Sequence, residues 1–186
     1  MKSPIEPIAF LDRDGTLIYT ETRGDVPAAI NDVARMSLLP GVPEGCRRLK
    51  ENGFRLVMVT NQPDVARGLV GQTEVEEINE SLKRLLSLDL VLACFHDDMH
   101  NCDCRKPEPG MLLEGFARLG GDPGPSSVIL GDRWKDVEAG RRAGISTVLL
   151  DGCYFERREC FPSFRCSDFE DGVTWAIENR ESRFGK

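Results

Sequence analysis

The sequence predicts an α/β fold built on a parallel β-sheet, and two observations predict it. Short apolar runs at Ile8–Leu11, 54–59, 90–95, 128–130 and 147–150 alternate with longer segments of helical periodicity. Polar residues able to do chemistry recur at or just past the ends of those runs: Asp12 and Asp14, Thr60 and Asn61, Arg105 and Lys106, Asp132 and Asp136. Strands alternating with helices form right-handed β-α-β units. Such sheets bind ligands beyond the carboxyl ends of their strands.

Each element has a local reason. Ile8–Leu11 reads as a buried strand that delivers Asp12. The stretch 17–39 is mixed and polar, with Gly24 and Pro27, and reads as a substrate-side loop. Val42, Cys46 and Leu49 form a helix stripe, with Pro43 in its first turn and Asn52-Gly53 at its end. The second strand, 54–59, leads to Thr60-Asn61-Gln62, and a loop at 63–72 carries Arg67. Thr73-x-x-Glu76 reads as a capping box opening a helix whose apolar face is Val75, Ile78, Leu82 and Leu85. After the strand at 90–95, Pro109 opens a helix with Leu112, Phe116 and Leu119 inward, closed by Gly120-Gly121. The strand at 128–130 ends at Gly131-Asp132, and a helix over Trp134–Ala143 stops at Gly144. Past the fifth strand the tail reads as irregular until Ser167-x-x-Glu170 caps a last helix carrying Phe169, Val173 and Ile177.

Composition narrows the class. The 186 residues suit one domain, with a tail and helix at 152–186, and two full domains would be cramped. A net charge of −7 argues against a nucleic-acid binder, though a local basic cluster could still hold a phosphate. No apolar run reaches the roughly 20 residues of a membrane span, and 1–7 lacks a signal-peptide core. The expectation is a cytoplasmic monomer. Seven cysteines, three of them within 94–104, suggest metal ligation in a reducing compartment more than a disulfide framework.

The stretch Asp12-Arg13-Asp14-Gly15-Thr16 is the centre of the chemistry. Carboxylates at i and i+2 project to one side of an extended backbone, and Gly15 lets the chain turn. Alone, the five residues read as an ordinary turn before they read as a site. The partners on the same rim suit phosphoryl transfer. A carboxylate attacks a phosphate ester only if a cation screens it and the phosphate oxygens are neutralised. Asp12 and Asp132 could share a hard divalent ion such as Mg²⁺. Lys106 would offset phosphate charge, and Thr60 would donate its hydroxyl to a phosphate oxygen. Asp14 would protonate the leaving oxygen and then activate water against an aspartyl-phosphate.

A second metal set lies at 94–104. Cys94-x-His96 and Cys102-x-Cys104 offer three thiolates and an imidazole, suited to tetrahedral zinc with no open position. Such a site would pin the loop structurally. His100 lies in the same loop and could replace His96. Scattered free thiols, or a redox pair, remain the other reading.

These blocks resemble the motifs of the haloacid dehalogenase-like hydrolases, in order and spacing, over residues 8–151. The resemblance implies a Rossmann-like three-layer fold with a parallel sheet, and likeness to its zinc-loop phosphatases implies no separate cap domain. It implies Asp12 as nucleophile and Asp14 as general acid/base. It further implies Mg²⁺ held by the Asp12 side chain, the Asp14 backbone carbonyl and Asp132, with Asp136 in support. Cys102-Asp103-Cys104-Arg105-Lys106-Pro107 is similar to the zinc-loop signature of the heptose-bisphosphate and histidinol-phosphate phosphatases within that family. By that likeness Arg105 contacts substrate, and Thr60 and Lys106 stabilise the phosphoryl group.

Asn61, Arg67 and Arg105 are the candidate substrate contacts, and the expected substrate is a small phosphorylated metabolite such as a sugar bisphosphate. Phe95 and Pro63-Asp64 depart from the usual pattern. Asp64 near an anionic substrate would favour an amine-bearing one, histidinol phosphate, unless it faces solvent. Arg67 is either a distal phosphate clamp or a solvated loop charge. Trp134 either stacks near the site or packs over the helix start. The tail from Tyr154 to Cys166, with Arg157, Arg158 and Arg165, reads as solvated. A zinc-stabilised binding module with idle catalytic residues is the reading from another class, and a polynucleotide phosphatase a weaker one.

Overall fold

In the computed structural model, residues 6–23, 26–28, 30, 32–121, 123–151 and 159–184 are described. The strands are β1 (Ile8–Leu11), β2 (Glu21–Arg23), β3 (Val26–Ala28), β4 (Arg55–Asn61), β5 (Leu90–Cys94), β6 (Val128–Gly131), β7 (Ser146–Leu150) and β8 (Phe164–Cys166). The helices are α1 (Val42–Glu51), α2 (Pro63–Ala66), α3 (Gln72–Leu85), α4 (Gly110–Leu119), α5 (Trp134–Ala143) and α6 (Phe169–Phe184).

Six strands form one sheet in the order β5-β4-β1-β6-β7-β8, and every pairing in it is parallel. The chain winds outward from β1 in both directions, so β1 with its neighbours β4 and β6 marks the switch point where such sheets bind ligands. Period-2 alternation then splits the core. Ala9, Leu11, Leu56 and Met58 face α1, α3 and α6 on one side. Ile8, Phe10, Val57 and Val59 face α4 and α5 on the other. The result is the expected three-layer α/β/α arrangement. Among the described helices none is long and apolar enough to cross a membrane.

Several local expectations are corrected. β8 lies in the tail expected to be irregular and adds a sixth strand, pairing Leu150 with Cys166. Tyr154, Arg157 and Arg158 lie outside the described residues. The 17–39 stretch is not plain loop: it holds the antiparallel β2–β3 hairpin and a 3-10 turn at Val33–Arg35. The 63–72 loop contains the short helix α2. Neither expected capping box forms. Gly71 starts α3, so Thr73 is already helical. Asp168 caps α6 instead of Ser167, its carboxylate accepting from the Asp171 backbone N–H at 2.9 Å. Leu85 is exposed, while Val75, Ile78 and Leu82 are buried as expected.

Candidate active site

The site is assembled from the three central strand ends and the loop after β5. β1 is locked between β4 and β6, and the Asp12 N–H continues the ladder onto the Leu130 carbonyl at 3.0 Å. The chain then folds back tightly, with Leu17 and Ile18 N–H groups donating to the Arg13 carbonyl at 2.9 and 3.0 Å. Gly15 holds φ +83° in this turn, and a Cβ there would come within 2.2 Å of the Asp132 carboxylate. Only glycine lets the two segments approach this closely.

Asp12, Asp132 and Asp136 converge, with one carboxylate oxygen of each within 4.8 Å of the others. All three are buried. Lys106 bridges two of them, its Nζ 2.6 Å from Asp12 Oδ1 and 2.6 Å from Asp136 Oδ1, with a third bond to the Val59 carbonyl at 2.9 Å. Burial alone would lower the Lys106 pKa, but the two carboxylates outweigh it and hold the ammonium protonated. Asp136 also accepts from the Arg133 N–H at 3.2 Å, which fixes it at the start of α5.

Asp132 differs from its neighbours. Both of its oxygens are buried without a hydrogen-bond partner. Burial first, then the charges of Asp12 and Asp136, raise its pKa well above the ordinary carboxylate value. Burial likewise raises Asp12 to about 6, against the pull of Lys106 and with a further push from Asp136. An orphaned buried carboxylate is costly. A hard divalent cation between Asp12 and Asp132 would satisfy it, and oxygen donors of this kind fit Mg²⁺.

Asp14 stands outside this triad but lines the same cleft. Its oxygens accept from Arg13 at 3.1 and 3.2 Å and from Gln62 Nε2 at 2.7 Å. Arg13 is fully buried and also donates to Asn79 on α3 at 3.0 Å. Gln62 further donates to Thr60 Oγ1 at 2.7 Å, leaving the Thr60 hydroxyl proton available. Sequence reasoning missed Arg13, Gln62 and Asn79. The one signal was the position of Arg13 between two acids.

Asn61, expected to contact substrate, clamps the Lys106 backbone: its amide donates to the Lys106 carbonyl at 2.9 Å and accepts from the Lys106 N–H at 3.1 Å. A cleft of about 100 Å³ gathers Asp12, Asp14, Thr60, Asn61, Arg105, Lys106, Asp132 and Asp136, together with Arg133 and Lys135. Arg67 is not among the lining residues. It pairs with Asp64 at 3.2 Å and lies 3.9 Å from Asp98. Trp134 is half-buried, with the Lys135 ammonium 5.8 Å from its ring centroid.

The loop after β5 carries the second cluster. Cys94, Cys102 and Cys104 have sulfurs 3.3 to 3.7 Å apart, and His96 Nδ1 lies 3.7 Å from Cys94 and 3.4 Å from Cys104. These separations exceed a disulfide bond and match the edges of a tetrahedral thiolate site. Burial and the neighbouring sulfurs of Cys94 and Cys102 raise the Cys104 thiol. The four side chains form a group that could hold a metal ion. His100 stands outside the cluster, with Nδ1 2.6 Å from Asp97. Arg105 and Lys106 follow Cys104 directly and line the cleft, so the cluster lies next in sequence to two of its cations.

Likeness to known proteins gives the family. Residues 27–144 match the family model described as haloacid dehalogenase-like hydrolase. The chain belongs to the haloacid dehalogenase-like hydrolases. Among relatives in this family, the D-glycero-beta-D-manno-heptose-1,7-bisphosphate 7-phosphatase of Yersinia pestis is 34% identical over 156 residues, 77% of this chain and 79% of that one. The corresponding D-glycero-D-manno-heptose enzyme of Chlorobaculum tepidum is 30% identical over 194 residues, covering 91% and 94%. A solved putative haloacid dehalogenase-like phosphatase from Mesorhizobium loti superposes with a TM-score of 0.76 at 31% identity, over 97% of this chain and 88% of that one. The heptose 1,7-bisphosphate phosphatase of B. bronchiseptica, solved with magnesium and phosphate, shares the fold at a TM-score of 0.76 and 24% identity, over 92% and 98%. As a member of this family, the protein is a hydrolase.

Proposed function

We propose that this protein is a Mg²⁺-dependent phosphatase for a sugar bisphosphate, with D-glycero-D-manno-heptose 1,7-bisphosphate as the first candidate. The observation that carries the reading is the pairing of Asp12 with Asp132, a buried nucleophile beside a buried carboxylate whose oxygens have no partner. Asp12, Asp132 and the backbone carbonyl of Asp14 would hold the ion, supported by Asp136. Once bound, the ion screens Asp12 from the phosphate and neutralises charge on the transferring group.

The chain's own groups account for the remaining steps. Lys106 aims Asp12 and holds it ionised. Asp12 attacks phosphorus while Asp14 gives a proton to the departing sugar oxygen. The aspartyl-phosphate so formed is then hydrolysed by water, whose proton returns to Asp14, releasing phosphate and freeing Asp12. Thr60 donates its hydroxyl proton to a phosphoryl oxygen. Cys94, His96, Cys102 and Cys104 would bind one Zn²⁺ that anchors Arg105 and Lys106. The substrate reading implies a small-molecule enzyme of the cytoplasm.

Charge at the mouth favours a bisphosphate over histidinol phosphate. An amine needs an uncompensated carboxylate. Asp64 is paired with Arg67, and Asp98 faces Arg105 at 2.9 Å and Lys135 at 3.6 Å. An amine arriving there would meet cations. The intact acid pair also argues against an idle binding module.

The test is phosphate release from a panel of sugar monophosphates, sugar bisphosphates and histidinol phosphate with Mg²⁺ present. Highest kcat/KM is expected on the heptose bisphosphate. Preference for histidinol phosphate, or no turnover of any member, would overturn the proposal.

A further inference from the structure

Asp98 sits where three cations meet. It lies in the 3-10 turn Asp98–His100 of the cysteine loop and is 67% exposed. Its Oδ1 accepts from Arg105 Nε at 2.9 Å and stands 3.6 Å from Lys135 Nζ, while Oδ2 is 3.9 Å from Arg67. Arg105 and Lys135 both line the catalytic cleft. Two other acids of the same loop face are engaged elsewhere: Asp97 by His100, and Glu108 by Arg142. No element of the core requires an acid here. An exposed side chain at the tip of a turn adds little to stability, and exposed ion pairs hold weakly.

We infer that Asp98 is a specificity-determining residue, a resident counter-ion occupying the place that the second phosphate of a bisphosphate takes among Arg67, Arg105 and Lys135. The inference rests on the reading of the site as a phosphatase for a bisphosphate. A phosphate dianion has more charge and more acceptor oxygens than one carboxylate, so it displaces Asp98. With Asp98 in place, like charges at Arg105 and Lys135 are held apart from self-repulsion until substrate arrives. Displacing Asp98 costs a bisphosphate part of its binding energy. A monophosphate leaves the carboxylate in place and incurs no such cost. Asp98 therefore tempers the preference for two phosphates and sets how strongly the second one counts.

The variant Asp98→Asn separates this role from a structural one. Asparagine keeps an oxygen that accepts from Arg105 but removes the competing charge. Two constants are read on wild type and variant with Mg²⁺ bound: the KM for p-nitrophenyl phosphate, and the inhibition constant of fructose 1,6-bisphosphate against it. The second is readable whether or not the bisphosphate is hydrolysed. The inhibition constant should fall about fivefold in the variant while the KM for the monoester changes less than about twofold. An inhibition constant that is unchanged or higher would overturn the inference, as would equal changes in both constants. Failure of the wild type to hydrolyse heptose bisphosphate, with the shift in inhibition still present, would sink the substrate assignment and leave the role of Asp98 standing.

Discussion

Lys106 Nζ lies 2.6 Å from Asp12 Oδ1, and the same ammonium reaches Asp136 at 2.6 Å. One buried cation thus holds two of three buried carboxylates. Removing it leaves a cluster of like charges without compensation. Breaking a buried pair in this way costs about 3 kcal/mol or more. Lys106→Met is expected to lose that much stability, and to recover part of it when Mg²⁺ is added, because the ion takes over the screening. Urea unfolding with and without Mg²⁺ measures both. A variant as stable as wild type without the ion would contradict the bridging role.

Asp12 and Asp14 are two residues apart, yet their stability roles differ. Asp14 is the partner of fully buried Arg13, while Asp12 belongs to the metal triad. Asp14→Ala therefore strands a buried guanidinium and should cost about 3 kcal/mol in addition to catalysis. Asp12→Asn keeps the shape and removes a charge from a crowded acidic cluster. It should abolish turnover while unfolding no more easily than wild type. Thermal melts of the two variants side by side decide it, and equal destabilisation would count against the division of labour.

Acidity should weaken the metal site. Burial, opposed by Lys106 and reinforced by Asp136, raises Asp12 from 3.8 to about 6 in the metal-free protein. The contribution of this group to metal-free stability is fully present below 3.8 and is lost as pH rises through about 6. The ion needs the ionised carboxylate, so its affinity runs the other way. Mg²⁺ binding should weaken at least tenfold per pH unit once the pH falls below about 6, with at least one proton released per ion bound, because burial raises Asp132 as well. Titration calorimetry in buffers of different ionisation enthalpy reads both quantities. Affinity independent of pH from about 5 to 7 would exclude this coupling.

The cysteine cluster should govern the site more than the fold. Both core clusters are built mainly from strands and helices outside the loop. Cys104→Ser, or removal of zinc with a chelator, should leave far-ultraviolet dichroism near native. Turnover should fall at least tenfold as Arg105 and Lys106 lose their anchor. Metal analysis should return about one zinc per chain in the wild type. Unfolding of the whole chain on chelation would assign the cluster a different job.

The five central strands are legible in the sequence because buried parallel strands read as continuous apolar runs. Their ends also carry the reactive groups, so Asp12, Thr60, Lys106 and Asp132 could be assembled before any coordinates. β8 escaped because it is three residues long and its middle residue, Arg165, is exposed. Its strand character comes from pairing with β7. The false capping boxes at Thr73 and Ser167 match a pattern that nearby residues override, Gly71 in one case and Asp168 in the other. Gln62 and Asn79 were invisible for a different reason. A buried polar side chain is identified by the partner it meets, and Arg13 meets Asn79 across 66 residues of chain.

The central claim is that Asp12 carries the phosphoryl group. Asp14→Asn with p-nitrophenyl phosphate tests it most directly, because a good leaving group needs no acid while hydrolysis still needs the base. Acid quenching during the first turnover, followed by peptide mass mapping, should find one phosphoryl group on the peptide containing Asp12, sensitive to hydroxylamine. Nitrophenol released with stoichiometric free phosphate and an unmodified Asp12 peptide, or a phosphoryl group on another residue, would contradict it.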